Sequence, residues 1–205
     1  MQPGNISIQE NVLDTSAITE VIRNRRTVKP KNFTSQEIDQ SIVRTMLENA
    51  NWAPTHGMTE PWRFSIFRGA ARQRLAEFLA ETYKSLSTPE AFKPKKYDGM
   101  RQNAMLAPVV IAVGMKRQES EKISELDELL AVACAVENLH LTATAFGLGG
   151  FWSTNIAATS DAMRDFLGFN PKDRALGLFY VGYPACEWPV GDRTPIDGKV
   201  QWIDR

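Results

Sequence analysis

The sequence has little of the chemistry that most often announces a site. Two histidines, His56 and His140, and two cysteines, Cys134 and Cys186, occur in 205 residues. They stand apart and form no CxxC pair or other metal-ligand spacing, so neither a metal site nor a disulfide framework is expected. Neither sign of charge is in excess, since 24 Lys and Arg balance 24 Asp and Glu. No bulk field therefore recruits nucleic acid or an anionic membrane surface. The main apolar run is interrupted by Glu137, Asn138 and His140, which argues against a membrane span. The opening residues MQPGNISIQENVLD hold neither a basic n-region nor an apolar h-region, so no secretory signal is expected and a cytoplasmic location is. No GxGxxG follows a strand and no GxxxxGK[ST] occurs, which disfavours a Rossmann unit or a P-loop enzyme. Repeats of solenoid period are also missing.

What is present is the composition of an ordinary globular protein, 43% hydrophobic and 23% charged. Residues 1–13 are polar and without helical period, and read as a flexible arm ahead of a single domain over 14–205. Asp14 to Ser16 offer caps for a helix carrying Ala17, Ile18, Val21 and Ile22, which closes near Asn24 to Val28 before Pro30. Thr34 or Ser35 with Glu37 predicts the cap of a second helix bearing Ile38, Ile42, Met46 and Leu47. Strands are expected over 62–67, 108–115 and 176–183, and a third helix over 70–86. The Pro-punctuated, basic stretch 87–103 reads as a loop with a short helical piece. Ser160 caps a short helix to about Leu167, with Asp161 and Asp165 as surface charges, and the tail from Pro184 is irregular. These elements do not alternate strictly, which points to an α+β layer fold.

The most informative stretch runs from Asp127 to Asn155. It opens as a helix apolar on nearly all sides, which must be buried against something. It closes in Gly147-Leu148-Gly149-Gly150 and continues as an extended segment, Phe151 to Asn155. Cys134 within it reads as an inert core thiol.

Three clusters could carry chemistry. Arg25-Arg26-Thr27 presents two guanidinium forks and a hydroxyl, a donor set suited to phosphate oxygens. Arginines at a helix C-terminus are as often solvated charges offsetting the macrodipole, and local sequence alone favours that reading. Trp52-Ala53-Pro54-Thr55-His56 with Pro61-Trp62 suits a pre-shaped, partly apolar wall, or simply a packed loop. Gly149-Gly150-Phe151-Trp152-Ser153-Thr154 permits close backbone approach beside a flat aromatic face, or is a helix cap followed by an edge strand. No nucleophile with its base and no acid–base pair can be assembled, so no residue is assigned a catalytic role.

In this order and spacing the three clusters resemble the FMN-dependent nitroreductase family, most of all its small bacterial NAD(P)H nitroreductases. Arg25-Arg26-Thr27 matches that family's R-R-S/T, Ala53 to His56 with Pro61-Trp62 its A-P-x-x…P-W, and Leu178 to Pro184 its last core strand. The likeness covers roughly residues 14 to 184. It implies a nitroreductase-like α+β fold: a central, mostly antiparallel or mixed sheet flanked by helices, with the long helix buried at a homodimer interface. It also implies that Arg25, Arg26 and Thr27 hold the phosphate and ribityl end of FMN, with Arg193 as a late basic ligand. Trp52 and His56 fall where the partner subunit reaches the flavin, and Trp152, Ser153 and Thr154 where the chain passes the isoalloxazine ring. Thr142 to Gly147 match a stretch tied to nicotinamide use. Trp52 stands where close relatives often have Arg, and Thr27 replaces the commoner Ser. The activity implied is hydride transfer from NADH or NADPH through flavin N5 to a nitro, quinone or similar small acceptor, with the cofactor doing the bond-making. Two alternatives keep the fold: a flavoenzyme of different chemistry, such as a dehydrogenase or dehalogenase, and an FMN-binding protein without turnover.

Overall fold

The structure, a computed structural model, describes residues 14–204. The expected N-terminal arm, residues 1–13, lies outside the described residues. The first helix, α1 (Thr15–Asn24), is capped by Asp14, whose carboxylate accepts the Ser16 N–H at 2.8 Å. The second, α2 (Gln40–Ala50), starts later than the sequence suggested. Asp39, not Thr34 or Ser35, is its cap, accepting the Ser41 N–H at 2.7 Å. Residues 30–34 are instead tied to the end of the chain's last strand, with Thr34 N–H donating to the Tyr183 carbonyl at 2.8 Å.

Strand β1 (Trp62–Phe67) and helix α3 (Ala71–Leu86) fall where they were expected. The stretch read as a loop with a short helical piece holds a longer helix, α4 (Pro94–Leu106). Pro94 occupies the first turn, where a missing N–H costs nothing, so the proline starts a helix instead of breaking one. Strand β2 (Val109–Met115) is buried at every position. It is followed by the long helix α5 (Glu125–Ala145), strand β3 (Gly149–Ser153), short helix α6 (Asp161–Phe166) and strand β4 (Arg174–Gly182).

The four strands form one sheet in the order β1-β2-β4-β3, each neighbouring pair antiparallel. Side chains alternate across it. Ile111, Val113, Phe179 and Val181 face α2 and α5, and Val110, Ala112, Leu178 and Tyr180 face α3, α4 and α6. Being covered on both sides explains why β2 reads as an unbroken apolar run. Among the described residues no helix is long and apolar enough to cross a membrane.

Helix α5 departs from its reading in one respect. Ala131, Val132, Ala135, Val136, Leu139 and Ala143 are buried against the sheet and α2. The opposite side is bare in the single chain: Leu126 is 63% and Leu130 55% exposed, and Cys134 is exposed too, not a core thiol. The helix is thus buried on one face and apolar on both. Its first turn is anchored by Glu128, which is 1% exposed and paired with the Arg117 guanidinium. The Gln118 N–H also donates to Glu128 Oε1 at 3.3 Å.

Candidate functional site

The site forms where the end of α1 meets the exposed edge of the sheet. The α1 helix stops at Asn24, and the next residues extend along β3. Thr27 bridges Gly150, and the Val28 N–H donates to the Gly150 carbonyl at 3.0 Å. Gly150 must be a glycine here. A Cβ would lie 2.4 Å from Phe179 Cζ and 2.9 Å from the His140 ring. Trp152, two residues on, is fixed by donating from Nε1 to the Leu176 carbonyl at 3.1 Å.

These contacts bring Arg25, Thr27 and Trp152 to one cavity of about 230 Å³, closed by Ala133, Val136, Glu137 and His140 of α5. A second hollow of about 560 Å³ shares Arg25 and Glu137 with it and adds Arg26, Gly191, Asp192 and Arg193. Arg25, Arg26, Thr27, Trp152 and Arg193 are therefore gathered at two adjoining hollows. Arg25 is paired with Glu137, Nε to Oε1 at 3.4 Å.

Arg26 is differently employed from Arg25. Its Nε donates to the Pro189 carbonyl at 2.7 Å and Nη1 to the carbonyls of Arg23 and Arg25 at 2.6 and 2.8 Å. Nη2 is left as its uncommitted nitrogen among the described residues. A Cβ at Gly191 would come within 2.2 Å of the Arg26 guanidinium carbon, so the tail passes flat against it. With Trp188 Nε1 donating to the Asn24 carbonyl at 2.7 Å, Arg26 straps residues 188–193 to the end of α1 and so carries Arg193 to the hollow.

The other sequence candidates lie elsewhere in the single chain. Trp52, 86% exposed after α2, lines a depression of about 630 Å³ with Ile18, Val21, Leu141 and Phe146. His56 is exposed beside Asp127, Nδ1 to Oδ2 at 3.4 Å. Strand alternation turns Ser153 away from Trp152, into a cavity of about 610 Å³ with Tyr83, Met100 and Asn103. Thr154 is exposed just beyond β3.

His140 was not assigned to the site from sequence, yet it is buried within it. Its Nε2 lies 3.0 Å from the Arg26 carbonyl, which can only accept, so Nε2 carries the proton. Nδ1 then turns its lone pair to Arg25 Nη1 at 3.4 Å. Burial, and after it the Arg25 charge, push the imidazole down from 6.5 to about 4, against the pull of the Arg26 carbonyl. The available signal was a polar ring on the buried side of an apolar helix. Its partners lie 114 and 115 residues away, out of reach of any local pattern.

This depression has a direction in stability. Between pH 6.5 and about 4 the unfolded chain binds the proton and the folded chain does not. The stabilisation is thus complete above pH 6.5 and drains away as pH falls toward 4, by roughly 3 kcal/mol in all. Denaturant unfolding at pH 7 and pH 4.5 is expected to show this loss in the native chain and not in His140→Gln.

A sequence model described as the Nitroreductase family matches residues 22–183. Among individual proteins, the chain is similar to Putative NAD(P)H nitroreductase YdjA of Escherichia coli (strain K12). The two are 27% identical over 156 residues, 76% of this chain and 81% of YdjA. Among solved structures, a nitroreductase-like family protein from Bacillus cereus superposes with a TM-score of 0.80 at 25% identity. That match covers 95% of this chain and all (100%) of the other. The FMN-dependent nitroreductase NfnB from Mycobacterium smegmatis, solved in complex with NADPH, gives a TM-score of 0.71 at 19% identity, covering 92% of this chain and 98% of NfnB.

Proposed function

This chain belongs to the nitroreductase family and is an oxidoreductase, and on that premise we propose that it binds FMN and carries hydride from NADH or NADPH to a nitro, quinone or similar small acceptor. The observation that carries this reading is the meeting of Arg25, Thr27 and Trp152 on one cavity, with Arg193 on the hollow beside it. The residues present fit such a group. Two guanidiniums and a hydroxyl are a donor set for a phosphate, and guanidinium forks match its oxygens in pairs. Trp152 supplies a flat aromatic wall next to them. YdjA carries NAD(P)H nitroreduction in its name, and NfnB is FMN-dependent and binds NADPH, which supports the choice of cofactor and donor.

FMN, when bound, would supply the hydride chemistry between the nicotinamide donor and the acceptor. The chain's own residues have the simpler task of binding and orienting. Arg25, Thr27 and Arg193 hold the phosphate and ribityl end, Arg26 holds the strap that carries Arg193, and Trp152 with the backbone of 153 and 154 borders the ring. Such a division of labour needs no acid–base pair and no nucleophile from the protein.

The bare apolar side of α5, with exposed Ile18, Ile22 and Trp52 beside it, supports a homodimer closed over that face. Its twofold would carry Trp52 and His56 of one copy toward the flavin of the other. In this reading residues 14–205 act as one FMN-binding domain. The test is anaerobic reduction of FMN-loaded protein. NADH or NADPH is expected to bleach the flavin, and a nitroaromatic or quinone to restore its colour. Flavin that neither donor reduces would overturn the proposed reaction.

A further inference from the structure

We propose that His140 is a positioning residue for the phosphate cradle, its neutral imidazole holding both the Arg25 guanidinium and the main chain at Arg26 in the arrangement that receives an anion. This rests on the FMN reading above and adds to it a residue outside the motif-matched set.

The ring ties together three elements that are distant in sequence. Nε2 donates to the Arg26 carbonyl at 3.0 Å and Nδ1 accepts from Arg25 Nη1, 3.4 Å away. Phe179 of β4 meets the imidazole edge-on, with centroids 5.0 Å apart at 77°. Gly150 of β3 lets the ring lie closer to the strand than any Cβ would permit. The imidazole is therefore held by α5, β3 and β4 and can fix the segment that leaves α1. Without it, Arg25 keeps, among the described residues, only the carboxylate of Glu137, whose side chain is 53% exposed. The Arg26 carbonyl would lose its partner as well, and the backbone that presents Thr27 would loosen. A cradle for a dianion depends on donors set in advance, because ordering them at the moment of binding subtracts from affinity.

Glutamine offers one donor and one acceptor on a side chain of comparable reach, whereas phenylalanine fills the space with neither. The experiment measures FMN and riboflavin affinity by fluorescence titration for the native chain, His140→Phe and His140→Gln. His140→Phe is expected to weaken FMN about tenfold while riboflavin, which lacks the phosphate, changes less than about twofold. His140→Gln is expected to return FMN affinity to within about threefold of native. Unchanged FMN affinity in His140→Phe, equal weakening of both flavins, or a His140→Gln as poor as His140→Phe would each overturn the role. If His140→Phe does not fold by circular dichroism, the ring-nitrogen shifts of His140 in the native chain decide, identified by their loss in His140→Gln. They are expected to report an Nε2–H tautomer whose Nδ1 signal moves with FMN and not with riboflavin, and a signal indifferent to both would overturn the role. A native chain that prefers FMN to riboflavin beside a His140→Phe that does so equally would sink this inference alone. A native chain that binds neither flavin would sink the FMN reading with it.

Discussion

Replacing Arg25 by alanine is expected to lower FMN affinity by about 100-fold and leave the fold intact. Arg25 is the cationic residue common to both hollows, with a side chain 20% exposed and held from two sides by Glu137 and His140. A hydrogen bond between charged groups contributes about 1.5–3 kcal/mol, and every 1.4 kcal/mol is tenfold in binding, so the loss of one such contact to a phosphate reaches two decades at its upper end. The fold is spared because Arg25 lies past the end of α1 and, among the described residues, its side chain is bonded to Glu137 and His140 alone, while His140 keeps its bond to the Arg26 carbonyl. Arg26→Ala is a different experiment, since it would release the 188–193 strap as well as a guanidinium. Fluorescence titration of Arg25→Ala with FMN, alongside circular dichroism, checks the prediction. An affinity within twofold or so of native would remove Arg25 from the cradle.

The largest expected effect on stability comes from Glu128→Ala. Its carboxylate is completely buried, and its Arg117 partner is 10% exposed. Breaking a buried pair on one side leaves the other charge uncompensated and costs about 3–5 kcal/mol. The exposed pair Arg44–Glu48, with side chains 77% and 59% open, is expected to contribute under about 1 kcal/mol by comparison. Chemical unfolding at fixed protein concentration, which a dimer would require, distinguishes them. Glu128→Ala is expected to fall by several times as much as Glu48→Ala. Because His140 lies twelve residues further along α5, roughly 18 Å at helical rise, FMN affinity of the folded variant should change little. Equal losses for the two variants would show that the buried pair does not anchor the helix.

Much of this architecture is legible in the chain itself. The apolar run of β2, the period of α3 and the glycine stop after α5 each follow from local preference, and the observed bounds agree within a few residues. Two misreadings have local causes. Pro94 reads as punctuation but opens α4, and Thr34 or Ser35 reads as the cap where Asp39 takes that place, accepting the Ser41 N–H. Cys134 on helix α5 is a different case. Periodicity reports that a face is apolar, not whether a single chain covers it, and so the reading of Cys134 as a core thiol fails in the single chain.

For the site, it was the likeness to the nitroreductases that marked Arg25, Thr27 and Trp152, and these line one cavity. What could not be read was the division of roles between adjacent arginines. Nothing local says that Arg26 grips the carbonyl of Pro189, 163 residues on, while Arg25 faces the cavity. Nor can spacing show that His140 bridges the two, because its partners come from the far end of the chain. Alternation along β3 also separates Ser153 from Trp152, a consequence of the edge strand that a motif read as one unit conceals.

The central claim is that the hollows around Arg25, Thr27, Trp152 and Arg193 receive FMN by its phosphate. It is tested most directly by comparing FMN with riboflavin on the native protein under one buffer and salt. The two ligands share the ring and the ribityl chain and differ by the phosphate alone. FMN is expected to bind about 100-fold or more tightly, as charge-assisted contacts from two guanidiniums require. Equal affinity for the two flavins, or no binding of either, would contradict the account.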